Sequence, residues 1–347
     1  MNQCTAIMVN HIQISSSKHF LLTTLLIISV IGSICSCSVI DHDQIKRRPL
    51  VMKAAQSNLQ PSAESVTDVF TFSPEGRLDS YNRYTGTSPI NAMYKESDRT
   101  IAVITGNHPI EYIYNNINST EGFRNQTLSL FYDDYKYPFM SGETSCNRQS
   151  QITIQMTPII SEIVIRSIRC DFSGKTYSLS QLEDIRIYLT NVNATYAPFA
   201  TETKPPINYI NAHMLRLSDQ EAMKHPEMTD TGIIPNLSIG NQTVTLDKHL
   251  YCYPNTITSE GPSNSYTRLV IEGKINGHKW YYPISINRHN KAQDGQVGVG
   301  RNKKYIYDIV LRGTGTTNPD TDISPVMADI RGTIENWNER NETEIIF

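Results

Sequence analysis

The 347-residue sequence lacks the side-chain groupings that carry most enzyme chemistry. Its nine histidines are scattered, and it has neither an HExxH zinc pair nor a GxSxG nucleophile turn. Two glycine-rich segments, Gly298–Lys303 and Gly313–Gly315, lack the remaining residues of a phosphate or dinucleotide loop. Asp320 and Asp322 lack the further oxygen ligands of a calcium loop. The sequence therefore predicts no catalytic residue, metal site, cofactor or enzyme activity.

The chain also lacks the charge of a nucleic-acid-binding protein. Its 31 Lys and Arg residues are balanced by 34 Asp and Glu residues, so the net charge is −3. Its longest cationic cluster is Lys46-Arg47-Arg48. Such a composition is too weakly basic to bind a phosphate backbone. It does suit a packed globular core, because 39% of the residues are hydrophobic.

Cysteine is too rare for a disulfide scaffold. Only Cys146, Cys170 and Cys252 follow Cys37 in the sequence. Three thiols cannot all pair with one another, and their spacing is unlike that of metal ligands. A bond between Cys146 and Cys170 is compatible with an oxidising compartment, although buried, unreactive cysteine is the favoured interpretation.

The N-terminal region is typical of an export signal. Lys18 precedes an apolar and small-residue run from Phe20 to Ile34, which is fifteen residues long. That run is shorter than the roughly 20 residues of a membrane-spanning helix. Ser36 is small, and Ile34 lies three positions before Cys37, as at lipoprotein cleavage sites. We therefore predict a signal peptide at 1–36 and acylation of Cys37, with palmitate as a typical lipid. The alternative is an ordinary secretory signal with incidental cysteines.

From Val66 onward the sequence is typical of β structure. Val66–Phe72 is followed by a Pro-Glu-Gly turn, and Thr100–Thr105 reads as a strand buried on both faces. Asn276-Gly277 joins two strand patterns and predicts a type I′ hairpin. Roughly seven candidate strands in each half predict an all-β chain of two β-sandwiches.

Periodicity is lost from Asn191 to Pro206, and Pro205-Pro206 cannot lie in a central strand. This predicts three parts in the mature chain: an exchangeable segment at 37–60, a first sandwich at 61–200 and a second at 201–347.

In their order along the chain, several segments resemble the fimbrillin family, the type V pilins of Bacteroidia. Each segment is weak alone, and together they cover nearly the whole mature chain. They are Val69–Leu78, Pro138–Gly142, Ile152–Met156, Tyr188–Val192, Trp280–Ile284, Tyr305–Ile309, Gly313–Asp320 and Ile334–Trp337.

The resemblance implies two tandem transthyretin-like antiparallel β-sandwich domains, export to the outer membrane surface as a lipoprotein, and assembly with other pilin subunits. In this scheme a trypsin-like protease removes an N-terminal strand, here around Arg48–Ala55, and a neighbour's C-terminal strand fills the groove. The candidate processing residues are Lys46, Arg47, Arg48 and Lys53. The candidate donor residues are Ile330, Ile334, Trp337, Ile345 and Phe347.

One feature departs from this scheme. Cleavage after Arg47 leaves the segment from Pro49 to Met52 attached, and proline after Arg48 protects that bond from trypsin-like enzymes. Lys53 alone lies late enough to release the strand, and an arginine-specific protease ignores it. The roles of stalk subunit, uncleaved anchor and tip adhesin therefore stay open.

Two functions are consistent with the sequence. The first is a fimbrial subunit or fimbria-associated adhesin, anchored in the outer membrane through its lipid and able to contact a host or bacterial surface glycan or protein. The alternative is a monomeric surface lipoprotein that captures glycans through loop tyrosines such as Tyr251 and Tyr253.

Overall fold

The computed structural model describes residues 46–54, 64–86, 90–94, 98–107, 117–146, 152–202, 204–214, 222–289, 295–337 and 343–346. All of them belong to one compact unit that spans Lys46–Phe347. The predicted signal peptide and Cys37 lie outside the described residues.

The first part of the chain forms a seven-stranded sheet. Its strands are β1 (Lys46–Ala54), β2 (Val66–Phe72), β3 (Leu78–Thr85), β4 (Asn91–Tyr94), β5 (Arg99–Gly106), β7 (Met140–Cys146) and β8 (Ile152–Pro158). Their order across the sheet is β3-β2-β5-β7-β8-β1-β4. The described pairs are antiparallel except that β1 runs parallel to β8.

Both faces of β2 and β5 are covered, which explains their nearly continuous apolar sequences. Val69 packs into a cluster with Ile101 and Val103 on one face of the sheet. Phe70 and Phe72, on the next positions along the strand, belong to the larger core that continues into the rest of the chain. The predictions of a strand at 66–72 and a doubly buried strand at 100–105 are confirmed.

A one-turn helix, which the sequence reading missed, covers this sheet. Helix α1 (Thr120–Arg124) precedes the short strand β6 (Leu128–Ser129). Ser119 caps it by accepting a hydrogen bond from the Gly122 backbone N–H at 3.2 Å. Phe123 of α1 contacts the rings of Phe70 and Phe72 at centroid distances of 4.7 and 5.2 Å. Its signal was a serine cap followed by Glu121.

The second part of the chain is a sandwich of two sheets. The four-stranded sheet has the order β14-β10-β16-β17, and the five-stranded sheet has the order β15-β9-β18-β19-β20. The strands of the first are β10 (Glu183–Thr190), β14 (Asp230–Ile233), β16 (Arg268–Ile275) and β17 (His278–Ser285). Those of the second are β9 (Ser161–Cys170), β15 (Val244–Cys252), β18 (Lys303–Leu311), β19 (Ala328–Asn336) and β20 (Thr343–Ile346).

Alternating residues from the two sheets fill one core. Ile185, Ile187 and Leu189 of β10 are fully buried, and so are Tyr305 and Tyr307 of β18. Connecting segments add short strands at β11 (Val192–Asn193), β12 (Thr195–Tyr196) and β13 (Tyr209–Ile210), and single 3₁₀ turns at Leu130–Tyr132, Ala212–Met214 and Pro226–Met228. With almost no helix and several largely antiparallel sheets, the fold is all-β, as predicted.

The strand pairing crosses residue 200. β9 and β10 precede that position, yet β9 pairs with β15 and β18, and β10 pairs with β14 and β16. Hydrophobic periodicity indicates where a strand lies but not which strand will pair with it. The division at 200/201 stays a prediction, and we infer from the pairing that the first sandwich ends near Pro158.

The two parts meet at a buried carboxylate. Asp133 is 2% exposed, and its Oδ1 accepts the backbone N–H groups of Asp134 and Phe139 at 2.8 and 2.9 Å. Burial raises the pKa of Asp133 to about 7, while those two N–H groups and the nearby Tyr253 hydroxyl oppose the rise. Tyr253 follows β15, so the carboxyl group lies between the two parts.

The three cysteines that the structure describes form no disulfide bond. Cys146, Cys170 and Cys252 are all buried and free. Burial raises the pKa of each thiol, that of Cys170 to about 12, so the reactive thiolate is disfavoured.

The turn at Asn276-Gly277 gives a first test. Both residues have positive φ, 50° and 78°, as a type I′ turn requires, and all eight residues of β16 pair with β17. We expect Gly277→Ala to lower the free energy of unfolding by about 1 kcal/mol, because a Cβ is disfavoured at this φ. The measurement is urea denaturation followed by tryptophan fluorescence.

Gly261→Ala is the matched control. A Cβ would meet open space at both glycines, but Gly261 has no positive φ. It should leave stability unchanged or raise it by up to about 1 kcal/mol. Equal destabilisation by the two substitutions would contradict the assigned turn.

The raised pKa of Asp133 predicts a pH dependence. Between about pH 4 and pH 7 the folded protein holds a proton that the unfolded chain has released. The stability contributed by protonated Asp133 is therefore complete below about pH 4 and is lost as the pH rises through about 7. Asp133→Asn keeps an oxygen that can accept the two N–H groups. We expect it to flatten this decline and to raise the urea midpoint at pH 8.

Asp133→Ala serves as the control for this substitution. It removes the acceptor of the Asp134 and Phe139 N–H groups, so it should destabilise the protein at every pH. Urea midpoints of the three proteins between pH 4 and pH 8 provide the comparison. A wild-type decline that persists in Asp133→Asn would assign the effect to another group.

Candidate functional site

Strand β1 changes partner at its centre. Residues 46–49 pair antiparallel with β4, and Leu50–Ala54 pair in parallel with β8. Pro49 is the last residue paired with β4. Because proline has no N–H to donate, it suits a position where a strand leaves one neighbour for another. β1 therefore consists of two segments with different attachments.

The segment of β8 beside β1 presents a strictly alternating pattern. Ile152, Ile154 and Met156 are at most 1% exposed and belong to the cluster that contains Val69 and Ile101. Thr153 and Gln155 between them are exposed. In the parallel register, Leu50, Met52 and Ala54 of β1 are the residues paired with Ile152, Ile154 and Met156. The site is thus the strand position beside β8, in which every second residue of β8 is buried and apolar.

The candidate processing residues lie in both segments of β1. Lys46, Arg47 and Arg48 pair with β4, and Lys53 pairs with Gln155 of β8. A cut after Arg47 would therefore separate residues from β4 while the whole β8-paired segment stayed joined to the rest of the chain.

Three of the C-terminal candidates, Ile330, Ile334 and Ile345, lie in two strands that differ in their attachment. β19 pairs with β18 through nine consecutive residues, Ala328–Asn336. β20 is an edge strand and pairs with β19 only at Arg331–Ile334. In β19, Ile330 is buried and Ile334 packs against the core. Of the remaining candidates, Ile345 pairs with Gly332, and Phe347 lies outside the described residues.

Trp337, at the end of β19, is held by its surroundings. Its backbone N–H donates to the Asn302 carbonyl at 3.0 Å, and its ring lies 6.1 Å from that of Tyr251. The N-terminal and C-terminal candidates thus belong to different sheets of one chain, and the structure does not bring them together.

A half-buried arginine, Arg301, lies next to the β8 end. Arg301 Nε donates to the Pro158 carbonyl at 3.0 Å, and Nη2 donates to the Thr157 carbonyl at 2.6 Å and the Ser141 hydroxyl at 2.8 Å. Nη1 donates to the Pro198 carbonyl at 3.3 Å. Burial lowers the pKa of Arg301. Nothing in the local sequence pointed to these partners, because they are more than a hundred residues away.

The loop tyrosines considered for glycan capture are engaged within the chain. Tyr253 is completely buried. The Tyr251 ring is stacked on Tyr135 at 5.2 Å, and its hydroxyl donates to Glu162 at 3.4 Å. The expectation that Tyr253 offers an exposed platform is therefore wrong, because its position before Pro254 lies in the core rather than in a surface loop.

The two aspartates considered for calcium have protein partners. Asp320 accepts a hydrogen bond from His213 at 2.8 Å, and Asp322 pairs with Arg268 at 3.0 Å and with Arg288. Across the described residues, no group of three or more His, Cys, Asp or Glu side chains could hold a metal ion. None of the helices described has the length and apolar content needed to cross a bilayer.

No family model and no curated protein matches this chain. Solved structures do match it. A candidate cell adhesion protein from Bacteroides eggerthii DSM 20697 superposes with a TM-score of 0.60 at 14% identity, over 84% of this chain and 95% of that one. Another from Parabacteroides distasonis ATCC 8503 has a TM-score of 0.60 at 12% identity, over 89% and 95%.

A third solved structure is a fimbrilin from Porphyromonas gingivalis W83. It superposes with a TM-score of 0.58 at 12% identity, over 85% of this chain and 98% of that chain. At such identities the likeness concerns the arrangement of strands rather than the side chains. The chain therefore has the β-sandwich fold found in a Bacteroidia fimbrilin and in candidate cell adhesion proteins.

Proposed function

We propose that this protein is a surface fimbrial subunit or fimbria-associated adhesin that assembles with other subunits by donor-strand exchange. The observation that carries the proposal is the pairing of β1 with β8: an N-terminal strand bearing basic residues fills a strand position lined by buried apolar residues. The fold shared with a fimbrilin supports it. As a structural subunit, the protein would need no catalytic residues.

Departure of β1 would leave β8 short of partners. Five residues of β8, Ile152–Met156, pair with β1, whereas only Thr157 and Pro158 pair with β7. The N–H and C=O groups of β8 that face β1 would lose their partners. This loss is unfavourable, so an incoming strand would be stabilised by the same backbone pairing.

β20 is the strand best suited to be donated. Leaving the home sheet breaks its pairing with four residues of β19, whereas donation of β19 would break a nine-residue ladder and expose Ile330. Ile345 and Phe347 are two positions apart, which matches the spacing of the apolar residues in β8. We therefore assign donation to Ile345 and Phe347. Ile330, Ile334 and Trp337 would hold the home sheet together.

Proteolytic cleavage would have to occur after the cationic cluster Lys46-Arg47-Arg48. Removal of residues up to Lys53 would free four of the five β8 positions, whereas removal up to Arg47 would free none. A subunit cut only after Arg47 would keep its groove closed and would act as a terminal or anchoring unit. Export through the predicted signal peptide and lipidation of Cys37 would place the protein on the outer membrane surface before any cut.

The donor assignment predicts the effect of one substitution. Ile345→Asp places a charge on a residue proposed to enter an apolar slot, so polymer formation should be lost. Leu179→Asp is the matched control. It also replaces an aliphatic side chain with a carboxylate, but Leu179 is 97% exposed. After trypsin treatment of the folded proteins, gel electrophoresis without boiling should show ladders for wild type and Leu179→Asp only.

Deletion of residues 343–347 should also abolish the ladders while the monomer stays folded. Ladders of undiminished length in both the deletion and Ile345→Asp would remove β20 as the donor.

The processing assignment is tested separately. With trypsin, wild type should yield a chain that begins at Ala54, and Lys53→Gln should retain the β8-paired segment of β1 and remain monomeric. Arg47→Gln removes a cationic residue from the other segment of β1 and should polymerise like wild type. N-terminal sequencing identifies the cut, and size-exclusion chromatography reports assembly. Polymers formed by Lys53→Gln while the β8-paired segment of β1 is still attached would contradict the requirement that β1 leave β8 before assembly.

A further inference from the structure

The strands β7 and β8 form a fork. They pair at only two positions, Met140 with Pro158 and Ser141 with Thr157. Beyond this point β7 continues beside β5, while β8 continues beside β1. A strand held by two residue pairs at one end has few constraints of its own once its other neighbour is gone.

The fork is unusually close-packed. A Cβ atom on Gly142, the next residue of β7, would overlap the backbone carbonyl of Gln155 and the side chain of Ile154. Because Gly142 has no side chain, β8 packs directly against the backbone of β7. This contact sets the distance between the two strands at the fork.

Arg301 binds the same fork from the other sandwich. Its guanidinium donates to the carbonyls of Thr157 and Pro158 in β8 and to the hydroxyl of Ser141 in β7. Its partners in the described chain are neutral oxygens, so the bonds are charge-assisted and directional without a competing ion pair. Arg301 lies two residues before β18, which is paired along its length between β9 and β19.

From this arrangement we propose that Arg301 is a positioning residue that holds β8 as a preformed acceptor edge when β1 is absent. The inference rests on the strand-exchange function proposed above. The bonds to Thr157 and Pro158 act one and two residues beyond Met156, the last residue paired with β1. They tie the end of β8 to β18, a strand that takes no part in the exchange, so the edge keeps its place and twist while it is unpaired.

A merely structural role for Arg301 would have a different signature. It would join the two parts of the chain, and its loss would weaken β8 and β18 alike. If Arg301 instead positions β8, loss of Arg301 should disturb β8 only after β1 has left. The discriminating measurement therefore compares the protein with and without β1.

The experiment uses the full chain with a recognition sequence for a site-specific protease placed within residues 55–63, between β1 and β2. The folded protein is cut, the N-terminal fragment is removed in mild denaturant, and binding of a fluorescent peptide with the sequence of residues 46–54 is measured by anisotropy. Arg301→Lys keeps the positive charge but not the planar set of N–H donors of the guanidinium. Arg166→Lys is the matched control, because Arg166 forms a surface pair with Asp308 on β9 and β18.

We expect wild type and Arg166→Lys to bind the peptide with the same Kd and Arg301→Lys to bind at least tenfold more weakly. Ser141→Ala, which removes one acceptor and leaves the arginine in place, should weaken binding by a smaller factor. Hydrogen exchange should show lost protection at 152–158 in cut Arg301→Lys, with protection at 303–311 retained. The uncut variant should keep protection in both segments.

Peptide binding by Arg301→Lys at the wild-type Kd, or equal loss of protection in β8 and β18 before cutting, would overturn the positioning role. Folded, cut wild type that binds no peptide would instead refute the strand-exchange function itself, and this inference with it. The two failures are thus distinguished by which protein fails to bind.

Discussion

Backbone hydrogen bonding along β8 is the constraint on which the rest of this structure depends. An interior strand must satisfy its N–H and C=O groups on both sides, and a buried group left unpaired costs about as much as a lost hydrogen bond. β8 pairs with β7 over two residues, Thr157 and Pro158, and with β1 over five, Ile152–Met156. Most of the described pairing of β8 is therefore supplied by β1, a strand from outside the 64–158 region.

This constraint also explains why the two parts of the chain are joined so closely. Arg301 reaches from the beginning of β18 to carbonyls at the end of β8, and Asp133 of the first part is buried beside Tyr253 of the second. Such contacts hold the fork of β7 and β8 in place without adding residues to the apolar strand position beside β8. The end of β8 is thus held by residues of the second part of the chain.

Local elements could be predicted from the sequence because their signals are local. The Asn276-Gly277 turn follows from the positive φ angles that these two residues tolerate, and the doubly buried strand at 100–105 follows from its lack of alternation. Partner choice could not be predicted in this way. The pairing of β9 with β18 and the bonds of Arg301 join residues about 140 positions apart, and no periodicity encodes them. Tyr253 was misjudged for the same reason, since its burial is set by Asp133 and its neighbours rather than by its own segment.

Under the proposed strand exchange, the separation of acceptor and donor would have a consequence for assembly. β8 belongs to the seven-stranded sheet and β20 to the edge of the five-stranded sheet, so the two surfaces are different patches of one molecule. A contact between unlike patches is heterologous, and it generates a closed ring or an open filament according to the rotation between subunits. Each added subunit would fill one vacated slot and present another, so growth would require no further adaptor. A subunit that keeps β1 could donate its own strand but could not accept one, and it would end the filament on that side. Under the proposed strand exchange, cleavage after Lys53 would therefore decide whether a given copy accepts a donated strand or ends the filament.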